Sequence, residues 1–277
     1  MSYKKFYKKI LLPVIGKTYL QPFFERLHLI SLAGMNIGMG SHIQQSGELQ
    51  ALKYVKSKLL TIKEDKVIFD VGANVGNYAR YIIKILSGLN FRLYCFEPLP
   101  EAYLQLTKSL SPYMHTNNIY IYNFGFSDTK GKAIIHYNNN NLGLASLYQR
   151  RLEHYGDVNL LKQTVEIELQ TIDEFVAEEN LEHIHLLKLD VEGHEYKVLM
   201  GAKRLLNEGR IKFIQFEFGG CNIDSRTYFQ DFWYLLKDKY SIYRIMRNGL
   251  YPIKRYSELL EIFTTTNYFA ELREELK

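Results

Sequence analysis

Five carboxylates, Asp70, Glu97, Asp128, Asp190 and Glu217, stand at or just beyond the ends of short runs of apolar residues. In an open α/β sheet such strand ends are where ligands are held, and acids gathered on one edge repel one another unless a cation lies among them. Acids also collect at strand ends because those ends meet water, so the surrounding spacing has to decide. Around Asp70 the chain reads VIFDVGANVGNYAR from Val67 to Arg80. A β-branched strand breaks at Gly72 and Gly76, and a helix opens near Asn77. Glycines there allow positive φ and close approach of a ligand to bare backbone, while the helix start offers free N–H groups and the positive end of its dipole. One βαβ unit later the run Leu93 to Phe96 closes on Glu97, where a carboxylate can accept hydrogen bonds from both hydroxyls of a ribose. A ribose-bearing ligand is the expectation.

The middle of the loop narrows the choice. A dinucleotide fingerprint requires G-x-G-x-x-G, and Asn74 stands where the second glycine would admit a pyrophosphate. No Gly-Lys-Ser/Thr follows, which excludes a P-loop. The pattern Asp70, Gly72, Gly76 has the form of loop that takes the methionine end of S-adenosylmethionine, a ribose-bearing cofactor without phosphate whose sulfonium and ammonium are cations. Glycines used only for packing would write the same loop but leave Glu97 unexplained.

Asp190 lies in LLKLDVEGHE, a strand that stops at a carboxylate and is followed by a glycine turn and a helix start. Transfer of a methyl group to a hydroxyl requires the attacking oxygen to lose a proton, so a carboxylate or histidine beside the reacting atoms can serve as base. Asp190, His194 and Glu217 are the candidate catalytic residues, although His194 could equally cap its helix. Asp190, Glu192, His194 and Glu217 are also ligand types for a hard divalent metal, but their spacing fits no closed cage, and a metal requirement stays open.

The elements that must position these residues alternate. Strands are expected at Val67–Val71, Arg92–Glu97, Ile119–Phe124, His185–Asp190, Ile211–Phe218, Ser241–Met246 and around Phe263–Phe269. Helices are expected at Ser46–Leu60, Asn77–Leu86, Glu101–Leu110, Glu195–Leu206 and Tyr228–Lys239. Strand-helix alternation argues a parallel sheet with right-handed crossovers. The fold class is therefore α/β, a doubly wound, seven-stranded, mostly parallel sheet whose final strand is a candidate for antiparallel pairing. An insertion with two more extended runs, Ala133–Tyr137 and Thr164–Leu169, lies on the acceptor side of the expected site.

The chain has 277 residues, 47% of them hydrophobic and 23% charged, ordinary values for a globular protein. Two cysteines without metal spacing suit a reducing compartment, taken as the cytoplasm. The net charge is +5, and Lys4, Lys5, Lys8, Lys9 and Lys17 all precede the first acid, Glu25. The rest of the chain is formally neutral and carries no electrostatic footprint for nucleic acid. Residues 1–45 thus read as a basic, amphipathic, helical extension. It either packs on the domain or a partner subunit, or makes peripheral contact with an anionic membrane at its inner face. Residues 46–277 form the domain.

Taken together these residues resemble the FkbM-like methyltransferases, S-adenosylmethionine-dependent enzymes of the class I, Rossmann-like fold. The resemblance covers about Ser46 to Phe269. It rests on SGE at Ser46–Glu48, DVGANVG at Asp70–Gly76, FEP at Phe96–Pro98, SD at Ser127–Asp128, TIDEF from Thr171, LKLDVEGHE at Leu187–Glu195 and FEF at Phe216–Phe218. It implies cofactor contacts from Glu48 and from Asp70, Gly72, Ala73, Asn74, Gly76 and Asn77 at the methionine end. It also implies contacts from Glu97 and Pro98 at the ribose, from Ser127 and Asp128 at the adenine, and from Asp190. The implied reaction is O-methylation of a sugar hydroxyl in a glycan or glycolipid, or of a small secondary metabolite. An NAD enzyme is opposed by Asn74. A nucleic-acid methyltransferase is opposed by neutral charge and by the absence of the Pro-Pro turn of base N-methylating enzymes. A non-catalytic cofactor-binding protein is opposed by retention of Glu97, Asp190 and His194.

Overall fold

The computed structural model describes residues 14–40, 43–114, 118–156 and 160–274. Eleven strands form among them: β1 (Lys66–Val71), β2 (Phe91–Phe96), β3 (Asn118–Tyr122), β4 (Gly125–Phe126), β5 (Gly131–Tyr137), β6 (Gln163–Gln170), β7 (Ile184–Leu189), β8 (Ile211–Phe218), β9 (Tyr240–Met246), β10 (Gly249–Ile253) and β11 (Thr266–Leu272). Eight make one sheet in the order β10-β9-β11-β8-β7-β1-β2-β3, in which β3, β2, β1, β7 and β8 run parallel and β11 lies antiparallel between β8 and β9. The sheet thus has eight strands where seven were expected. The extra strand is the edge β10, paired with β9 across the two residues Arg247 and Asn248. Pro252 cannot donate to a ladder and is tolerated because β10 is an edge.

β1 and β7 are buried at every position, as strands covered on both faces must be. One face carries Phe69, Phe96, Leu187 and Phe216, covered by helices that include Ile172–Glu178 and Phe229–Leu236. The other carries Ile68, Leu93, Leu186 and Phe213, covered by the helices Glu48–Leu59 and Asn77–Ile85. Leu52, Val55 and Leu59 recur at helical spacing and are fully buried, each contributing about 2 kcal/mol by leaving water. The direction of winding reverses between β1 and β7, and that switch point opens a crevice outside the strands' C-terminal ends.

Several boundaries differ from expectation for local reasons. The third strand ends at Tyr122, and Gly125–Phe126 joins a second sheet of order β4-β6-β5, in which the two extended runs of the insertion pair as an antiparallel hairpin. The helix expected over Glu195–Leu206 is two helices, Glu195–Met200 and Lys203–Glu208. The break is at Gly201, where a Cβ would lie 2.0 Å from the Ser127 carbonyl oxygen. In the extension, Gln21–Gly34 is helical with no buried side chain. The chain then joins the body: Asn36 Nδ2 donates to the carbonyls of Ser46 (2.7 Å) and Ile245 (3.0 Å), and Ile37 is buried. Lys4, Lys5, Lys8 and Lys9 lie outside the described residues.

Candidate active site

The loop after β1 is held from three sides. Gly72 and Ala73 N–H both donate to the Phe96 carbonyl on β2 (3.0 Å), Asp190 N–H donates to the Val71 carbonyl (3.0 Å), and Asn74 N–H donates to Glu97 Oε2 (2.8 Å). Gly72 has φ +80°, and a Cβ there would lie 1.9 Å from the Asp190 carbonyl oxygen, so two loops meet through bare backbone. Asn74 takes φ +47°, a conformation asparagine tolerates. Glu97 accepts a second N–H, from Leu99 (2.9 Å). Burial nevertheless raises its carboxyl to about 7 against the opposing pull of those bonds.

Sequence register sets the next layer. Asp70 on β1, Lys188 on β7 and Gln215 on β8 lie level on one row of the sheet, beneath Glu48 of the first packed helix. Lys188 Nζ donates to Asp190 Oδ2 at 3.0 Å and lies 4.0 Å from Glu48 Oε1. Burial disfavours its charge, but Asp190, Glu48 and Asp70 outweigh that and hold the ammonium above its usual range. Gln215 bridges Glu48 (2.8 Å) and the Tyr78 hydroxyl (2.8 Å). Asp70 is 1% exposed, its Oδ2 has no partner, and burial raises its carboxyl to about 7.

On the opposite side, residues 190–194 form a tight turn closed from within by Glu195. Its carboxylate accepts from Val191 N–H (2.9 Å) and Gly193 N–H (3.1 Å), and burial raises it to about 7. His194 Nε2 meets Ser127 Oγ (2.9 Å) and Nδ1 meets the Tyr148 hydroxyl (2.9 Å), so both ring nitrogens are engaged. Burial lowers the ring to about 4, with Asp128 opposing. Arg150 pairs with Glu192, and Ser146 Oγ donates to the Glu192 carbonyl (2.7 Å). Three side chains of the insertion therefore fasten it to this turn.

Two cavities meet here. One, of about 710 Å³, is lined by Glu97, Pro98, Phe126, Arg150, Glu192, His194 and Glu217, among others. The other, of about 1180 Å³, is lined by Glu48, Asp70, Ala73, Asn77, Tyr78 and Lys188, among others. Gly40, Gly72, Asn74 and Asp190 face both. Among the described residues, seven carboxylates, Glu48, Asp70, Glu97, Asp190, Glu192, Glu195 and Glu217, surround them with four cations, Lys188 and Arg150 within and the exposed Arg80 and Lys84 on the wall of the larger one. An excess of buried acid, an unpartnered Asp70 oxygen and a bare Gly72 fit a ligand that brings its own positive charge and a ribose. Among the described residues no group of three or more His, Cys, Asp or Glu side chains could hold a metal ion.

Most residues singled out from the sequence thus converge. Three do not reach a cavity wall. Gly76 caps the Asn77–Ile85 helix, and its φ of +85° and close contact with Leu106 leave no room for a side chain. Ser127 and Asp128 stand behind Phe126: Ser127 engages His194, and Asp128 accepts from Lys197 (2.7 Å), which lowers its carboxyl. Lys188, Gln215, Glu195 and Arg150 join the site without having been among the residues expected there. The first two carried a signal, a polar residue in the middle of an otherwise apolar strand. Arg150 carried none, since it meets Glu192 only through the fold.

A doubly wound sheet with a glycine loop, a ribose-type carboxylate and acid-lined cavities at its switch point defines an α/β enzyme of nucleotide-type cofactors. Residues 70–244 match the family model of the methyltransferase FkbM domain, and the chain belongs to that family. Membership places it among the S-adenosylmethionine-dependent methyltransferases. It is similar to the 2-O-methyltransferase NoeI of Sinorhizobium fredii, 26% identical over 161 residues that cover 56% of this chain and 64% of the relative. It is also similar to the AMB antimetabolite synthetase AmbE of Pseudomonas aeruginosa, 24% identical over 198 residues covering 61% of this chain and 9% of the relative. The chain therefore spans less than two thirds of either. Among solved structures, the methyltransferase FkbM of Methylobacillus flagellatus aligns with TM-score 0.47 and 17% identity, covering 74% of this chain and 43% of that one.

Proposed function

We propose that this chain transfers a methyl group from S-adenosylmethionine to a sugar hydroxyl of a glycan or glycolipid. The observation that carries the reading is Asp190, among the described residues the one carboxylate that lines both cavities, set beside the Gly72 loop and Glu97. When bound, the cofactor supplies an electrophilic methyl group on sulfur. Asp70 and Glu48 would face its ammonium, the Gly72 loop its methionine backbone, and Glu97 its ribose hydroxyls. Asp190 accepts the proton that the acceptor hydroxyl loses as the new bond forms. Lys188 aims it through their 3.0 Å hydrogen bond. Glu217, whose carboxyl burial and the neighbouring Asp190, Glu192 and Glu195 raise well above its ordinary range, donates a hydrogen bond to a second acceptor oxygen. His194 holds the insertion in place through Tyr148 and Ser127.

The wall of the smaller cavity supports this acceptor class. Among its lining residues Arg150 is the only lysine or arginine, and Glu192 and Asp224 engage it. That wall offers hydrogen-bond acceptors and no free cation, which suits a neutral polyol better than a carboxylate or phosphate. A relative named as a 2-O-methyltransferase supports a hydroxyl as the target. The test is to incubate the protein with methyl-labelled S-adenosylmethionine and glycan, lipid and small-metabolite fractions of its source cell. Labelled sugar methyl ethers are expected, and Asp190→Asn should lower kcat by about 10²- to 10⁴-fold, a larger effect than any loss of cofactor affinity from the same wall. Label confined to small metabolites would replace the acceptor class, and calorimetry showing NAD binding without S-adenosylmethionine binding would sink the reading.

A further inference from the structure

We propose that the Gln21–Gly34 helix docks this chain on an anionic lipid bilayer and so brings the mouth of the two cavities to the membrane surface. The helix, QPFFERLHLISLAG, is apolar around most of its circumference, a composition that belongs in a protein interior or in lipid. Yet none of its side chains is buried: Phe23 is 59% exposed, Leu27 48%, Leu29 65% and Ile30 69%, with Tyr19 just before it at 75%. Phe23, Leu27 and Ile30 fall at helical spacing on one stripe. With 14 residues it is about 21 Å long, too short to cross a bilayer but suited to lie in its interface. Among the described residues no helix is long and apolar enough to cross a membrane.

Charge selects the partner. The first 34 residues hold five lysines and Arg26 against the single acid Glu25, whereas the remaining chain holds 29 basic and 29 acidic residues. All of the net charge of +5 therefore sits on and before the exposed apolar helix. An apolar stripe flanked by lysines matches acyl chains beneath anionic headgroups. A second copy meeting the same segment would find one acid to set against six cations.

The helix is also coupled to the site. Six residues after Gly34, Gly40 lines both cavities, and Gly38 N–H donates to the carbonyl of Thr265 (3.0 Å), itself on the wall of the smaller one. A helix lying in the interface therefore holds the cavity mouth within about 20 Å of the headgroups, the reach of six extended residues. If the acceptor is the glycolipid of the proposed function, it can be met without leaving the membrane. The docking itself needs neither acceptor nor cofactor.

Vesicle co-sedimentation of the full chain tests this. Binding is expected to phosphatidylcholine vesicles that contain phosphatidylserine, weakening as salt is raised. The variant Phe23→Ser, Leu27→Ser, Ile30→Ser should bind about ten-fold or more weakly, with unchanged circular dichroism and cofactor affinity because those side chains are exposed. Replacing Lys4, Lys5, Lys8 and Lys9 by Gln should remove the preference for phosphatidylserine. Absence of binding to these vesicles, or equal binding to vesicles of phosphatidylcholine alone, would overturn the proposal. So would sedimentation velocity showing a dimer that the triple serine variant splits. Each of these readouts is independent of methyl transfer, so failure here is distinct from failure of the proposed reaction.

Discussion

Each oxygen of Glu97 already accepts one backbone N–H, from Asn74 and from Leu99, and keeps a lone pair for a ribose hydroxyl. Glu97→Ala should cost about 1.5 to 3 kcal/mol of cofactor binding, or about 10- to 150-fold by calorimetry. A loss below three-fold would mean that the ribose lies elsewhere. His194 is the residue whose reading changes most. As a free base it would make kcat fall below about pH 6.5. With both nitrogens engaged and the ring lowered to about 4 by burial, no inflection near 6.5 is expected. His194→Ala should raise the acceptor KM by loosening the insertion while cofactor affinity holds; a kcat loss above about 100-fold with KM unchanged would return the ring to the chemistry. Asp190 and Glu97 were legible in the sequence because each combines a strand end with a neighbouring glycine or proline. Arg150 was not, because an arginine in a loop looks like any solvated charge until its partner 42 positions away is known.

At the scale of elements, the two loops at the switch point touch through backbone, so their conformation is intolerant of added atoms. Gly72→Ala places a methyl 1.9 Å from the Asp190 carbonyl oxygen at φ +80° and should destabilise the fold by about 2 to 4 kcal/mol. A urea midpoint equal to that of the parent would show that the loops part easily. The extension divides at a definite place. A chain starting at Met35 should keep the parent's melting temperature, since no side chain of the Gln21–Gly34 helix is buried, whereas one starting at Gln44 loses Asn36 and Ile37 and should melt several degrees lower. The parallel strands were legible because burial on both faces writes a continuous apolar run. β10 was not, since an exposed edge strand with a proline reads as a loop, and Gly201 reads as one more helical residue until the Ser127 carbonyl is placed beside it.

For the molecule as a whole, the buried ionisable groups set its response to pH. Asp70, Glu97 and Glu195 keep their protons to about 7 in the folded chain but lose them near 4 when unfolded, so the stability tied to protonation is full below about 4 and is lost as pH rises towards 7. His185 and His194, both lowered to about 4 by burial, act in reverse and destabilise as pH falls from about 6.5 towards 4. Glu48, Glu192 and Glu217, raised as well, add to the three acids, so the acids outweigh the two histidines and stability falls as pH rises from about 5 towards 7. The urea midpoint of the ligand-free protein should therefore be higher at pH 5 than at 7.5, and affinity for the cationic cofactor should rise over the same range. A midpoint that climbs with pH would show these carboxylates already ionised. The segment between β5 and β6 leaves and returns through one hairpin, while the sheet that carries Asp70, Glu97 and Asp190 is complete without it. It is in effect a cassette that three rivets, Ser146, Tyr148 and Arg150, hold to the turn at 190–194, so it can be exchanged without rebuilding the sheet.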